Sequence, residues 1–307
     1  MRVVLTGATG FIGRHLSRAL LANGHQLTLV VRPGRRPPRA LEAGCKIESF
    51  DLDDRPAWQR VLADVDVVIY CAGSVRGRTP ADFELANVTG IDRLIGAMRD
   101  TNRPCRLVLI SSLAATRPHL SSYAASKSRG EQVLLSAPEL DWVIFRPPAV
   151  YGPGDREMRP LLSWIRRGVA VIVGPATQKL SLLYVGDLVT AILAVMKAHD
   201  DSRHQIYEPD DGFPQGYGWD DIIEAVGGRR VVRVLVPRWL LSAFAHSNAT
   251  LARVFGYRPM LTPGKVAELS EPAWLCNNRP LREKTSWKPE VDLAEGVRLT
   301  FADRTSS

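Results

Sequence analysis

The chain has 307 residues, 45% hydrophobic and 23% charged, enough apolar side chain for a sizeable core in one large domain or two smaller ones, and no stretch reaches the apolar length of a membrane-spanning helix. Its formal net charge of +8 comes from lysines and arginines scattered along the chain rather than gathered in a stripe, which speaks against a nucleic-acid partner and for a solvated surface with an anionic small molecule. Four cysteines (Cys45, Cys71, Cys105 and Cys276) lie far apart and no histidine stands at a metal-ligand spacing, so the expectation is buried free thiols, with neither a disulfide framework nor a metal site.

Met1 leads straight into a short strand, followed by a Gly-rich segment with Arg14 and Arg18, unlike a signal peptide, and a cytoplasmic location is expected. Short β-branched runs then alternate with amphipathic segments, the pattern of a parallel sheet covered by helices. Strands are predicted over 2–5, 26–31, 46–50, 66–70, 106–110 and 142–145. The predicted helices cover 10–23, 55–63, 83–100 and 121–135, with Gly24 placed as a C-cap. After Pro147 the chain becomes richer in Pro and Gly, as in "RPPAVYGPGD", and regular alternation fades. A strand near 169–173 and a helix near 187–198 are expected to return to the main sheet. Residues 1–147, with those returning elements, therefore form the expected sheet domain, and 148–307 mostly a smaller substrate-binding lobe.

Gly7, Gly10 and Gly13 stand where the first strand turns into the first helix, which begins inside the turn. Such a turn admits positive φ, lets a phosphate approach bare backbone, and leaves helix N-terminal N–H groups facing outward. The run Thr6-Gly7-Ala8-Thr9-Gly10-Phe11-Ile12-Gly13 resembles the Thr-Gly-x-x-Gly-x-x-Gly fingerprint of the short-chain dehydrogenase/reductase superfamily, in its extended or atypical branch, the NAD(P)-dependent epimerase/dehydratase family. The resemblance covers nearly the whole chain. It implies an α/β, Rossmann-type doubly wound parallel sheet with a smaller C-terminal substrate lobe, and a dinucleotide held by Gly7, Thr9, Gly10, Phe11, Ile12 and Gly13.

Further positions carry the same resemblance. The second predicted strand ends in Val31-Arg32, followed by Arg35 and Arg36, where NAD-preferring members carry an acid. A guanidinium there suits a 2′-phosphate, so NADP is expected over NAD, with Arg32 and Arg36 as its contacts. Asp51 and Leu52 fall where the family contacts adenine, Cys71, Ala72 and Gly73 beside the riboses, and Asn87 at the family's helix asparagine. Pro147 and Val150 fall near the nicotinamide.

Tyr123 and Lys127, in "SSYAASKSRGEQ", stand at i and i+4 on one helix face. Exchange of a hydroxyl proton needs a base, and an ammonium close to a phenol favours the phenolate. By resemblance these two form a catalytic triad with Ser112, for which Ser111 is the fallback, and Lys127 also reaches the nicotinamide ribose. Leu113-Ala114 replaces the dehydratases' Asp-Glu pair, which disfavours dehydration. Eleven positions separate Ser112 from Tyr123, a short loop that lacks the Tyr-Gly of sugar-nucleotide enzymes.

The expected activity is that of an NADPH-dependent carbonyl reductase or alcohol dehydrogenase acting on a small or moderately apolar substrate. A nucleotide-sugar 4-epimerase and a non-catalytic NADP(H)-binding sensor or accessory subunit remain open alternatives. Asp187 is expected to cap a helix, and Trp287-Lys288-Pro289 to be structural. Arg166 and Arg167 meet either a substrate phosphate or solvent. The segment 237–255 carries apolar residues at helical spacing, which suits core packing first, then an apolar substrate's roof or a membrane surface. The segments 83–98 and 123–135 are candidate surfaces for a homodimer.

Overall fold

In a computed structural model, the structure describes residues 1–302 except 38–40, 42–43, 102, 199–201, 228–229, 258 and 260, and at 253–254 the backbone alone. Six β-branched or aliphatic runs form parallel strands: β1 (Arg2–Thr6), β2 (Gln26–Val31), β3 (Cys45–Ser49), β4 (Val67–Tyr70), β5 (Arg106–Ile110) and β6 (Asp141–Phe145). With a seventh strand, Gln205–Tyr207, they order as Gln205–Tyr207, β6, β5, β4, β1, β2, β3. Every residue of β4 and β5 is buried, whereas the edge strand β3 keeps only half-buried and exposed positions. Continuous apolar runs at the centre are what helices on both faces of a parallel sheet demand. The chain leaves β1 toward β2 on one side and returns to β4 on the other, so the crevice beyond the carboxyl ends of β1 and β4 is the topological switch point where such sheets bind ligands.

The chain divides into two compact units: Met1–Arg146 with Ile192–Tyr207, and Pro147–Ala191 with Glu208–Ser307. The core of the first unit includes Val4, Val68, Leu107 and Ile144, packed with Trp58, Leu94 and Leu134. Near its edge Arg106 is fully buried, its Nε and Nη2 each donating to Asp141 at 3.0 Å and its Nη1 to Ser202 Oγ at 2.8 Å. That pairing is what makes a guanidinium tolerable inside a strand.

The predicted return of 169–173 to the main sheet does not occur. Val169–Val173 pairs in parallel with Val232–Val236 in a separate two-stranded ribbon, and Gln205–Tyr207 takes the outer place beside β6. The first segment alternates half-buried and buried, as a ribbon with one covered face does, and the three residues of the real seventh strand are too few to show any period. The predicted helix over 83–100 is instead Ala81–Glu84, a π-helical stretch Leu85–Thr89 and Gly90–Arg99.

In the second unit Leu162, Ile165, Ile172, Ile222, Leu293 and Val297 pack around Tyr151. Asp187 lies inside the first turn of the Val185–Lys197 helix and caps nothing there. Its carboxylate instead accepts the N–H groups of Glu290 and Val291 at 3.2 and 3.0 Å, while Trp287 donates its indole N–H to Thr190 at 3.0 Å. Both residues are thus structural fasteners of the C-terminal segment. Cys105 is buried and the other three cysteines are half-buried; all four are free thiols. Among the described residues no helix is long and apolar enough to cross a membrane.

Candidate active site

The Gly-rich turn lies at the carboxyl end of β1. Gly7 has φ of +72°, and a Cβ there would sit 2.7 Å from the Cys71 carbonyl carbon. At Gly13 a Cβ would sit 2.1 Å from the Gly7 oxygen, so the following helix lies directly on the turn. Thr6, fully buried, ties the ends of β1 and β4 together, its hydroxyl oxygen accepting the N–H of Cys71 at 3.0 Å and of Ala72 at 2.9 Å. The Phe11–Ala22 helix starts at Gly10 with no side-chain cap and no acid in its first turn. An uncapped helix N-terminus over bare glycine backbone is suited to an anion such as a pyrophosphate.

Ser121 caps the Ser122–Leu135 helix, its Oγ accepting the Ala124 N–H at 2.9 Å, which sets half-buried Tyr123 in the first turn and Lys127 one turn on. The Tyr123 ring lies 6.3 Å from that of Phe83, centroid to centroid. Lys127 is 8% exposed and donates to the Ile110 carbonyl at 2.9 Å. Burial brings its pKa down to about 8, against the opposing pull of the Glu131 carboxylate toward the charged form. Burial also pushes the Cys71 thiol up to about 12, so it stays neutral at physiological pH.

Asn87 sits in the π-helical stretch, a local widening frequent at functional sites. It is 1% exposed; its Oδ1 accepts the Ser74 N–H, and its Nδ2 donates to the Ser74 carbonyl and to Ser126 Oγ, at 3.0, 3.0 and 2.9 Å. At Gly73 a Cβ would lie 3.2 Å from both Asn87 Oδ1 and Lys127 Nζ. The asparagine and the lysine thus converge on one backbone position at the end of β4, beyond which Gly73 itself is exposed.

The two serines after β5 part company. Ser111 is buried and donates its O–H to Glu131 Oε1 at 2.5 Å; Arg146 clasps the same carboxylate through Nε at 3.1 Å and Nη2 at 2.6 Å. Ser112 is half-buried and caps the short 3₁₀ turn Leu113–Thr116, its Oγ accepting the Ala114 N–H at 3.2 Å. That contact occupies a lone pair and leaves the Ser112 O–H as a donor. Sequence reasoning missed the pairing of buried Glu131 with half-buried Arg146, for which "GEQ" offers no signal. It also missed the clamp of Thr6, whose only signal was its place before Gly7 in the fingerprint.

A family model described as the NAD-dependent epimerase/dehydratase family matches residues 3–208. The chain belongs to that family. Ceramide reductase of Caulobacter vibrioides is 32% identical over 291 residues, spanning 92% of this chain and 88% of that protein. 2-Alkyl-3-oxoalkanoate reductase of Stenotrophomonas maltophilia is 27% identical across 97% of this chain and 98% of its own length. Among solved structures, UDP-glucuronic acid 4-epimerase of Bacillus cereus with UDP-glucuronic acid and NAD superposes with a TM-score of 0.72, at 19% identity and covering 98% of both chains, which shows the shared fold. Membership makes this epimerase/dehydratase-family protein an NAD(P)-dependent oxidoreductase or epimerase.

In this family member the remaining sequence-predicted residues fall as follows. Arg32, Arg35 and Arg36 are exposed in the turn after β2, with the Arg35 N–H bonded to the Arg32 carbonyl at 3.0 Å. Asp51 is exposed and Leu52 buried just past β3, while Thr9 and Gly10 are exposed and Phe11 and Ile12 half-buried at the first helix. Gly7, Arg32, Asp51, Gly73, Asn87, Ser112, Tyr123 and Lys127 all belong to the first unit; Pro147 and Val150 belong to the second, Val150 pairing with Leu183 in a short parallel ribbon.

Proposed function

We propose that the chain is an NADPH-dependent carbonyl reductase, or alcohol dehydrogenase in the reverse direction, acting through Ser112, Tyr123 and Lys127. The observation that carries the reading is the buried Lys127 ammonium, one helical turn from half-buried Tyr123 and converging with Asn87 on Gly73. Gly7, Thr9, Gly10, Phe11, Ile12 and Gly13 would take the pyrophosphate, Asp51 and Leu52 the adenine, and Cys71, Ala72 and Gly73 the riboses. A bound nicotinamide supplies a hydride to the carbonyl carbon, or takes one from the carbinol carbon.

Everything else falls to side chains of the protein. The Ser112 O–H donates to the substrate oxygen and holds it for Tyr123, whose phenol gives its proton to that oxygen as negative charge develops there. The Lys127 cation lowers the cost of the phenolate left behind, and solvent returns the proton. The Asn87 amide, fastened to Ser74 and Ser126, fixes the wall that Lys127 faces. Because the relatives named above are reductases of a ceramide and of an alkyl-oxoalkanoate, carbonyls carrying apolar chains are the first substrates to test.

Purified protein is expected to oxidise NADPH in proportion to alcohol formed. Arg32→Glu should weaken NADPH about 10- to 100-fold, the loss of one charge-assisted phosphate contact, and leave NADH nearly unchanged. Tightly retained NAD with no net cofactor turnover would overturn the reading in favour of an epimerase. A pH profile gives a second check. Lys127 titrates at about 8 in the folded protein and its cation is the useful form, so kcat/KM for reduction should bend downward above about pH 8. In Lys127→Arg the bend should move higher, since a guanidinium does not titrate there.

A further inference from the structure

We propose that the helix Arg238–Phe255 is a docking surface for an anionic phospholipid bilayer, on which the protein lies without spanning it. Leu240, Phe244, Leu251 and Phe255 stand at i, i+4, i+11 and i+15, within about 60° of one another on an α-helix. All four are exposed, Phe244 at 62% and Phe255 at 74%, and Trp239 at the helix start is 71% exposed. Ala245 and Ala252, about 100° round the helix from that stripe, are fully buried. The helix therefore rests on the protein by its small residues and turns its large apolar ones to solvent, the reverse of ordinary core packing. The strand before it, Val232–Val236, also exposes Val232 and Leu235.

Charge decides what covers this stripe. From Ala225 to Ala267 there is no Asp or Glu, while six arginines and one lysine occur in that stretch. Arg233 is paired with Asp220 and Lys265 with Glu268, both acids outside it, and Arg238 is exposed at the helix's first position. A second copy of the chain, docked through the same stripe about a two-fold axis, would bring two cationic, acid-free segments together. An anionic lipid surface satisfies both features at once: headgroups take exposed Arg238 while Trp239, Phe244 and Phe255 enter the headgroup boundary. Lying on the surface also agrees with the lack, among the described residues, of any helix long and apolar enough to cross it.

The test is sedimentation of the full chain with vesicles of phosphatidylglycerol and phosphatidylcholine, and of phosphatidylcholine alone, at low and high salt. The protein should bind the anionic vesicles, less at high salt and far less without phosphatidylglycerol. The double variant Phe244→Ser/Phe255→Ser should lose at least about tenfold in binding with its melting temperature unchanged, since both side chains are already in water. No binding to anionic vesicles, or equal binding by the double variant, would overturn the proposal. So would a dimer in vesicle-free buffer that the double variant converts to monomer, because the stripe would then belong to a second copy.

Discussion

Tyr123→Phe should lower kcat/KM for carbonyl reduction by about 10²- to 10⁴-fold, the usual worth of a positioned acid or base, and leave NADPH affinity and the melting temperature near those of the parent. The variant removes one oxygen from a half-buried ring in the first turn of its helix and keeps the ring that faces Phe83. What disappears is the only proton Tyr123 can give. The drop should fall on kcat and kcat/KM together, because a proton moved in the transition state is not a ground-state contact. Turnover unchanged in Tyr123→Phe would remove Tyr123 from the chemistry. A partner response that survives alongside undetectable turnover in both proteins would support the non-catalytic sensor.

Gly13→Ala should be nearly as damaging, through a different route. The new Cβ would stand 2.1 Å from the Gly7 oxygen, 2.7 Å from its carbon and 2.9 Å from the Ala8 Cα, all of them backbone atoms. No rotamer relieves that, so the helix must move off the turn, which disturbs the N–H groups placed at its end. A loss on the order of 2–4 kcal/mol in stability is expected, with at least about tenfold weaker NADPH binding. Gly24→Ala is the control: its φ is +74° but nothing lies within 4 Å of the new Cβ. Only the left-handed backbone is then penalised, at about 1 kcal/mol, with cofactor affinity untouched. If the two variants proved equal, close approach of helix and turn would not be what Gly13 provides. Urea melts and a fluorescence titration with NADPH separate the two effects.

The sheet was legible because its signal is local and repeated. β4 and the Leu107–Ile110 part of β5 are continuous apolar runs bounded by polar or turn residues, and each strand lies within a residue or so of its predicted span. The Gly-rich turn was legible for the same reason, as three glycines spaced three apart where a strand turns into a helix have few other uses. Where the sequence reading failed, the deciding fact was a distant partner. Val169–Val173 has strand character, but its ribbon partner lies some sixty residues later, and no local pattern distinguishes that pairing from a place in the main sheet. Asp187 was placed as a helix cap because it opens a helix; its real partners are amides more than 100 residues away.

For the candidate site, residue types and spacings could be read from the chain alone: Gly7, Gly10 and Gly13 after a strand, Tyr123 and Lys127 one helical turn apart, two serines after β5, and arginines after β2. Those follow from the periods of helix and strand, which are fixed by backbone geometry and need no partner. The contrast between the two serines came only from the fold: Ser111 is buried and gives its O–H to Glu131, which Arg146 also holds, whereas Ser112 is half-buried at the start of a short turn. The fold alone decided that Asn87 and Lys127 meet at Gly73, since a π-helical stretch and the approach of two helices had to place them. The shift of Lys127 to about 8 belongs to the same level, because desolvation comes from everything packed around a group and from nothing in its own sequence.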